Sequence, residues 1–133
     1  MGLFGFGKKK EDKPYRVMHY EGIDNVGVDM PCTFIIKDDT ININFTSGMN
    51  ITLPMARVIK FESMYKSDFM MKYKNTTAPN KQNGVQVKYL VITYMTKDNV
   101  EKRIVLWAAD LRECNYFTDL HYKYQPAAGN IEL

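Results

Sequence analysis

Few side chains in this sequence could do chemistry unaided, and their spacing keeps them apart. There are two histidines, His19 and His121, and two cysteines, Cys32 and Cys114. Nucleophilic or acid–base catalysis needs a reactive group beside a partner that tunes it, yet these four are scattered over three predicted elements. Two cysteines in apolar patterns make neither a disulfide framework nor a cysteine-based metal site, and they read as reduced core thiols. Asp38-Asp39 is a turn former, and it lacks the further oxygen ligands that calcium requires. No P-loop, G-x-S-x-G or H-E-x-x-H pattern is present. The expectation is a protein that is not an enzyme, with no cofactor, no metal and no small-molecule substrate.

Two stretches instead carry residues suited to binding. Between 66 and 83 the chain makes a long excursion in which lysines lie among Met and aromatic side chains; SDFMMKYK could form a helical turn or two, and Phe69 and Met70 could instead tuck against the barrel. Lys66, Phe69, Met70, Lys72, Tyr73, Lys74, Lys81 and, just beyond, Lys88 are the candidate surface for a partner protein or an anionic headgroup. Long loops in compact domains are usually functional or disordered. At the start of the chain, Leu3, Phe4 and Phe6 form an apolar tip beside Lys8, Lys9 and Lys10. That tip is a candidate membrane contact, since each lysine near anionic lipid contributes about 1 kcal/mol. Gly2 does not make a myristoylation site, because Phe6 stands where that motif needs Ser or Thr.

The elements that must position these residues are mostly strands. Tyr15 to Glu21 reads as a first strand containing His19, followed by an acidic Gly/Asp/Asn loop. Cys32, Phe34 and Ile36 then alternate with more polar neighbours, Asp38-Asp39 turns the chain, and Ile41, Ile43 and Phe45 alternate again: a hairpin with one apolar face. Pro54 interrupts the next strand, because proline cannot donate to a ladder, and Val58 to Met64 resumes it. The stretch 88–95 is apolar on both faces and is expected to be a central strand. A turn at Lys97-Asp98-Asn99 leads to a strand in which Ile104, Leu106 and Ala108 alternate with Arg103, Val105 and Trp107. A helix follows, with Asp110 as its N-cap and Glu113 completing a capping box. Its apolar stripe comprises Leu111, Cys114, Phe117, Leu120, His121 and Tyr124.

Size and composition bound the rest. A chain of 133 residues with 45% hydrophobic and 25% charged residues is that of one ordinary globular domain. Residues 14–126 form that domain, with tails at 1–13 and 127–133. The net charge of +3 is too small to argue for nucleic acid, and none is expected as a partner. Neither a secretory segment nor an apolar run of membrane-spanning length is present, so a cytoplasmic protein is expected, or one held peripherally at the inner face of the membrane.

CTFIIKDDTININF, ITLPMARVIKFESM, YLVITYMTKDNVEKRIVLWAAD and FTDL together resemble the recurring pattern of bacterial pleckstrin-homology-like (PH-like) and GRAM-like domains over roughly residues 15 to 124. The resemblance implies a mainly β fold: a bent antiparallel barrel of about seven strands capped by one C-terminal helix. It also implies a binding or assembly module. PH domains that hold phosphoinositides carry basic residues around the loop joining the first two strands, whereas here Glu21 to Asp29 is acidic, which argues against an inositol-phosphate pocket. The expected function is therefore an interaction or scaffolding module binding a protein partner or a second copy of itself. The alternative is a membrane adaptor using the N-terminal tip and the 66–88 lysines.

Overall fold

The computed structural model describes residues 13–82 and 84–124. The N-terminal tip, Leu3, Phe4, Phe6, Lys8, Lys9 and Lys10, lies outside the described residues, as does the C-terminal tail. The fold is mainly β: seven antiparallel strands form one sheet, and a helix closes the described chain. In chain order the elements are β1 (Tyr15–Glu21), β2 (Met30–Lys37), β3 (Thr40–Phe45), β4 (Asn50–Pro54), β5 (Val58–Tyr65), α1 (Lys66–Lys74), β6 (Lys81–Gln82), β7 (Val85–Gln86), β8 (Lys88–Met95), β9 (Glu101–Ala108) and α2 (Leu111–Lys123). The sheet order is β4-β3-β2-β1-β9-β8-β5, and β6 pairs with β7 in a separate small hairpin.

Local chemistry accounts for most of this. Asp38 and Asp39 both adopt positive φ, 54° and 60°, and Lys37 faces Thr40 across the turn. Two such residues give the primed turn whose twist suits a tight hairpin. The sheet's two edge strands, β4 and β5, are joined by a single turn of 3-10 helix at Met55–Arg57. The sheet therefore bends until its edges approach at that corner, and Pro54 sits at the corner, where a missing N–H does least harm.

Side chains alternate across the bent sheet. Its concave side encloses Phe34, Ile41, Ile43, Leu90, Ile92 and Leu106, over which α2 lays Phe117 and Leu120. The stripe of α2 starts later than the sequence suggests. Leu111, at the first helical position, is 75% exposed, whereas Glu113 is 4% exposed. The capping box is also absent: Asp110 stands at the N-cap without a side-chain bond. Glu113 turns instead toward β1, where its carboxylate accepts the Arg16 N–H at 3.1 Å. At the other end of α2, His121 Nδ1 accepts the Ser63 N–H of edge strand β5 at 2.9 Å. This satisfies an edge donor that the sheet leaves unpaired.

The convex side carries a second, smaller core. Strand 88–95 is central, between β9 and β5, as its two apolar faces imply. Leu90 and Ile92 face the main core, while Tyr89 and Val91 pack with Val105, Val87, Phe69 and Met70 beneath α1. Both faces of β8 are thus covered within one chain.

Candidate functional site

The lysine-rich excursion is more ordered than a loop. Residues 66–74 form α1, whose first turn is met by Asn80: its Oδ1 accepts the Ser67 N–H at 2.7 Å. Asn75 closes the helix in the left-handed region, φ 53°. Phe69 is fully buried and stacks on Tyr89 at 4.6 Å between ring centres, and Met70 is buried beside it. These two side chains hold α1 to the sheet and present nothing to a partner.

The polar members of the set are largely engaged. Glu62 of β5 receives the Tyr73 hydroxyl proton donor and the Lys72 ammonium, the latter at 2.6 Å. Burial pushes the Glu62 carboxyl up, but the bonds from Lys72 and Tyr73 outweigh it and hold the group below the ordinary carboxylate range. The same site raises the Tyr73 phenol through burial and through its bond to the Glu62 carboxylate. Lys74 pairs with Glu21 at 2.6 Å. Lys88 donates to Thr118 of α2 at 2.6 Å and lies over the Tyr65 ring. The Lys66 backbone N–H is bound by Val87 O, and Lys81 is exposed on the β6–β7 hairpin. The predicted residues therefore do not converge: Lys72, Tyr73 and Lys74 gather near Glu62 and Glu21, whereas Lys88 reaches back to α2.

A different surface does converge. β1 and β9 pair only through Met18, His19 and Glu21, with an irregularity between the last two. Tyr15, Arg16 and Val17 continue along β2 alone, while Ala108 continues along β8 alone, so the two strands part. Glu113 spans the gap between Arg16 and Arg112, and the Arg112 guanidinium also donates to the carbonyls of Lys13 and Pro14. What remains open is a groove of about 360 Å³, with Met18, Pro31, Trp107 and Ala109 among its walls, Cys32 among its lining, and Arg16 and Asp110 as its charged members. The Trp107 indole N–H donates to Asp29 Oδ1 at 2.8 Å, which fixes the ring that forms one wall.

Burial pushes the Cys32 thiol up to about 12, so it stays protonated and a poor nucleophile. Cys114 is raised as well, chiefly by burial, and its Sγ–H reaches Ala108 O at 3.5 Å. Among the described residues, no three His, Cys, Asp or Glu side chains gather where a metal ion could be held. A second hollow, about 710 Å³, borders Tyr15, Tyr116 and Tyr124 close to both ends of the described chain. The walls of the β1–β9 groove, by contrast, all lie within described strands, loops and the start of α2.

The sequence alone did not single out Trp107, Met18 or Pro31. One signal was there: Trp107 is the only tryptophan, and it falls on the outward side of an alternating strand. Compared with known proteins, the chain matches no protein-family model and no curated protein. The fold and the site therefore define its class on their own terms: a helix-capped antiparallel β domain with an apolar groove at a strand junction. Among the described residues no helix is long and apolar enough to cross a membrane.

Proposed function

We propose that this protein is a non-catalytic cytoplasmic interaction module of PH-like type that holds an apolar segment of a partner protein in the β1–β9 groove. The groove carries the reading. Its volume of about 360 Å³ lies in the range of ligand-binding clefts, which run from about 300 to 1,000 Å³. A tryptophan face and a methionine thioether are adaptable apolar walls of the kind enriched at protein interfaces. The seven-stranded antiparallel sheet with a closing C-terminal helix is what the PH-like resemblance implies, and α1 with the β6–β7 hairpin is an addition between β5 and β8.

Charge favours a protein segment over an anionic membrane here. Arg16 and Asp110 place one charge of each sign on the groove, and Asp29 adds a second carboxylate behind Trp107. A neutral apolar stretch meets no penalty from that rim, whereas lipid phosphates would face carboxylates. The membrane alternative has less to draw on, because Lys72, Lys74 and Lys88 already have partners. Self-association through β8 has less support too, since α1 covers that strand's second face.

Selection of a displayed peptide library on the purified protein tests this. Apolar peptides should be enriched, and their affinity should fall at least about tenfold in Trp107→Ala and in the milder surface variant Met18→Lys, the loss of one well-buried contact. No enrichment, or peptides bound equally by both variants, would reject the reading. Binding to phosphatidylserine vesicles that ignores Met18→Lys but disappears when residues 1–13 are deleted and the 66–88 lysines are neutralised would favour the membrane alternative instead.

A further inference from the structure

His19 is the one fully buried histidine, and its hydrogen bonds run into a single loop. The ring sits at 0% exposure, edge-on to Phe45 with 6.1 Å between centres. Its Nε2 accepts the Ile23 N–H at 3.2 Å, which leaves Nδ1 to carry the proton and donate it to Gly27 O at 2.8 Å. The His19 carbonyl accepts the Asp29 N–H at 2.7 Å. One residue of β1 thus grips the 22–29 loop near its start, near its end and at its last residue. Asp29 in turn holds Trp107, the groove wall, through its side chain. The imidazole therefore holds the loop at Ile23 and Gly27, and the His19 main chain holds Asp29, the residue that bonds the groove wall.

The bond at the start of the loop, from the Ile23 N–H to Nε2, depends on the ring being neutral. A protonated imidazole has two N–H donors and no acceptor. Nε2–H would then point at the Ile23 N–H, replacing an attraction with donor facing donor where the ring has no solvent exposure. We infer that His19 is a proton-operated latch: when the ring is neutral the 22–29 loop is closed and Trp107 is held in place, and when the ring takes up a proton the loop releases and the groove wall moves. This role as a regulator rests on the groove reading, but the latch itself does not.

The surrounding charges do not offer a protonated ring a buried partner. Glu21 and Asp24 of the same strand and loop line a polar hollow at Gly22–Ile23 together with Glu101, Lys102 and Arg103 of β9. Asp29 is committed to Trp107. On the interior side β3 contributes Phe45, β9 contributes Leu106 as the residue paired with His19, and β2 contributes Cys32 as its titratable side chain. That thiol stays neutral, since burial raises it to about 12.

Because Trp107 is the only tryptophan, its fluorescence reports the wall directly, with no ligand present. On acidification the ligand-free protein should show a single-proton step in Trp107 emission. His19→Gln, which keeps a donor and an acceptor but does not titrate, should abolish the step, and His121→Gln should keep it. A flat wild-type profile, a step that survives in His19→Gln, or one that moves with His121 would overturn the latch. Should His19→Gln not fold, exchange of the Ile23 amide in the wild type decides. Its protection factor should fall about tenfold per pH unit once the ring protonates, the slope that one proton gives, and protection constant with pH would overturn the latch equally. Peptide binding lost in Met18→Lys with no pH step leaves the groove and removes the latch, while a pH step without any peptide binding does the reverse.

Discussion

At the scale of single residues, the tightest constraint sits where the latch loop leaves β1. Gly22 adopts φ +109°, and a Cβ built there would lie 2.2 Å from the carbonyl oxygen of Arg103. Both the backbone angle and the contact exclude a side chain, and the obstacle is main chain, which cannot swing away. Gly22→Ala is therefore expected to destabilise the domain by about 3 kcal/mol, whereas Gly48→Ala, at φ +102° but in open space, should cost about 1 kcal/mol from backbone strain alone. Urea denaturation of both variants checks the difference, and equal losses would contradict it. Glu62 makes the second residue-scale case. Its carboxyl is held below the ordinary range in the folded state, so its contribution is fully present above the unfolded value of about 4.3 and is lost as pH falls through the folded one. Glu62→Gln should thus be less stable than wild type at pH 7, and the gap should close in acid. A gap that widens with acidification would show that Lys72 and Tyr73 do not govern this group.

At the scale of elements, the chain divides by how local the deciding information is. The β2–β3 hairpin was legible because alternation and an Asp-Asp turn lie within one short stretch, and α2 was legible from its spaced apolar residues. The role of α1 was legible only as one of two alternatives. Its two buried residues, Phe69 and Met70, are adjacent and sit among lysines, so they leave no clean helical stripe. What fixes them is Tyr89, a distant residue they stack against. The groove was hidden for the same reason: the Asp29–Trp107 bond joins residues 78 apart, and the parting of β1 from β9 exists only once the sheet is assembled. Glu113 shows how tertiary context overrides a local motif. As a capping-box residue it would serve its own helix, but the strand parting leaves the Arg16 N–H without a sheet partner, and Glu113 supplies one. Glu113→Ala should cost about 1–3 kcal/mol, since it strips the acceptor from a backbone donor. Asp110→Ala should cost about 0.5 kcal/mol or less, the scale of a surface change, because Asp110 makes no capping bond. Thermal melts of the pair would show the reverse order if the local motif ruled.

At the scale of the whole molecule, the two cores have unequal standing, and this bears on how the protein behaves with copies of itself. The main core is enclosed by all seven strands and α2, whereas the second depends on α1 lying over the convex face of β8 and β9. Six buried residues form that second core, with Phe69 fully enclosed among the rings of Tyr20, Tyr73 and Tyr89. Regions with few buried apolar contacts open at lower free energy than the global fold, so α1 is the element expected to detach first. When it does, Tyr89, Val91 and Val105 face water as one contiguous apolar patch on a central part of the sheet, and such patches drive association. Phe69→Glu would place a charge in that core and hold α1 off the sheet while leaving the main core intact. Its light-scattering mass should rise with protein concentration well beyond that of the wild type, and its α1 amides should lose protection while those of β2 and β3 keep theirs. A variant that unfolds throughout would mean that the two cores form a single cooperative unit, and one that stays as monodisperse as wild type would mean that α1 is not what shields β8. The apolar second face of β8, which in the sequence suggests a partner, is on this account a surface the chain keeps for its own helix.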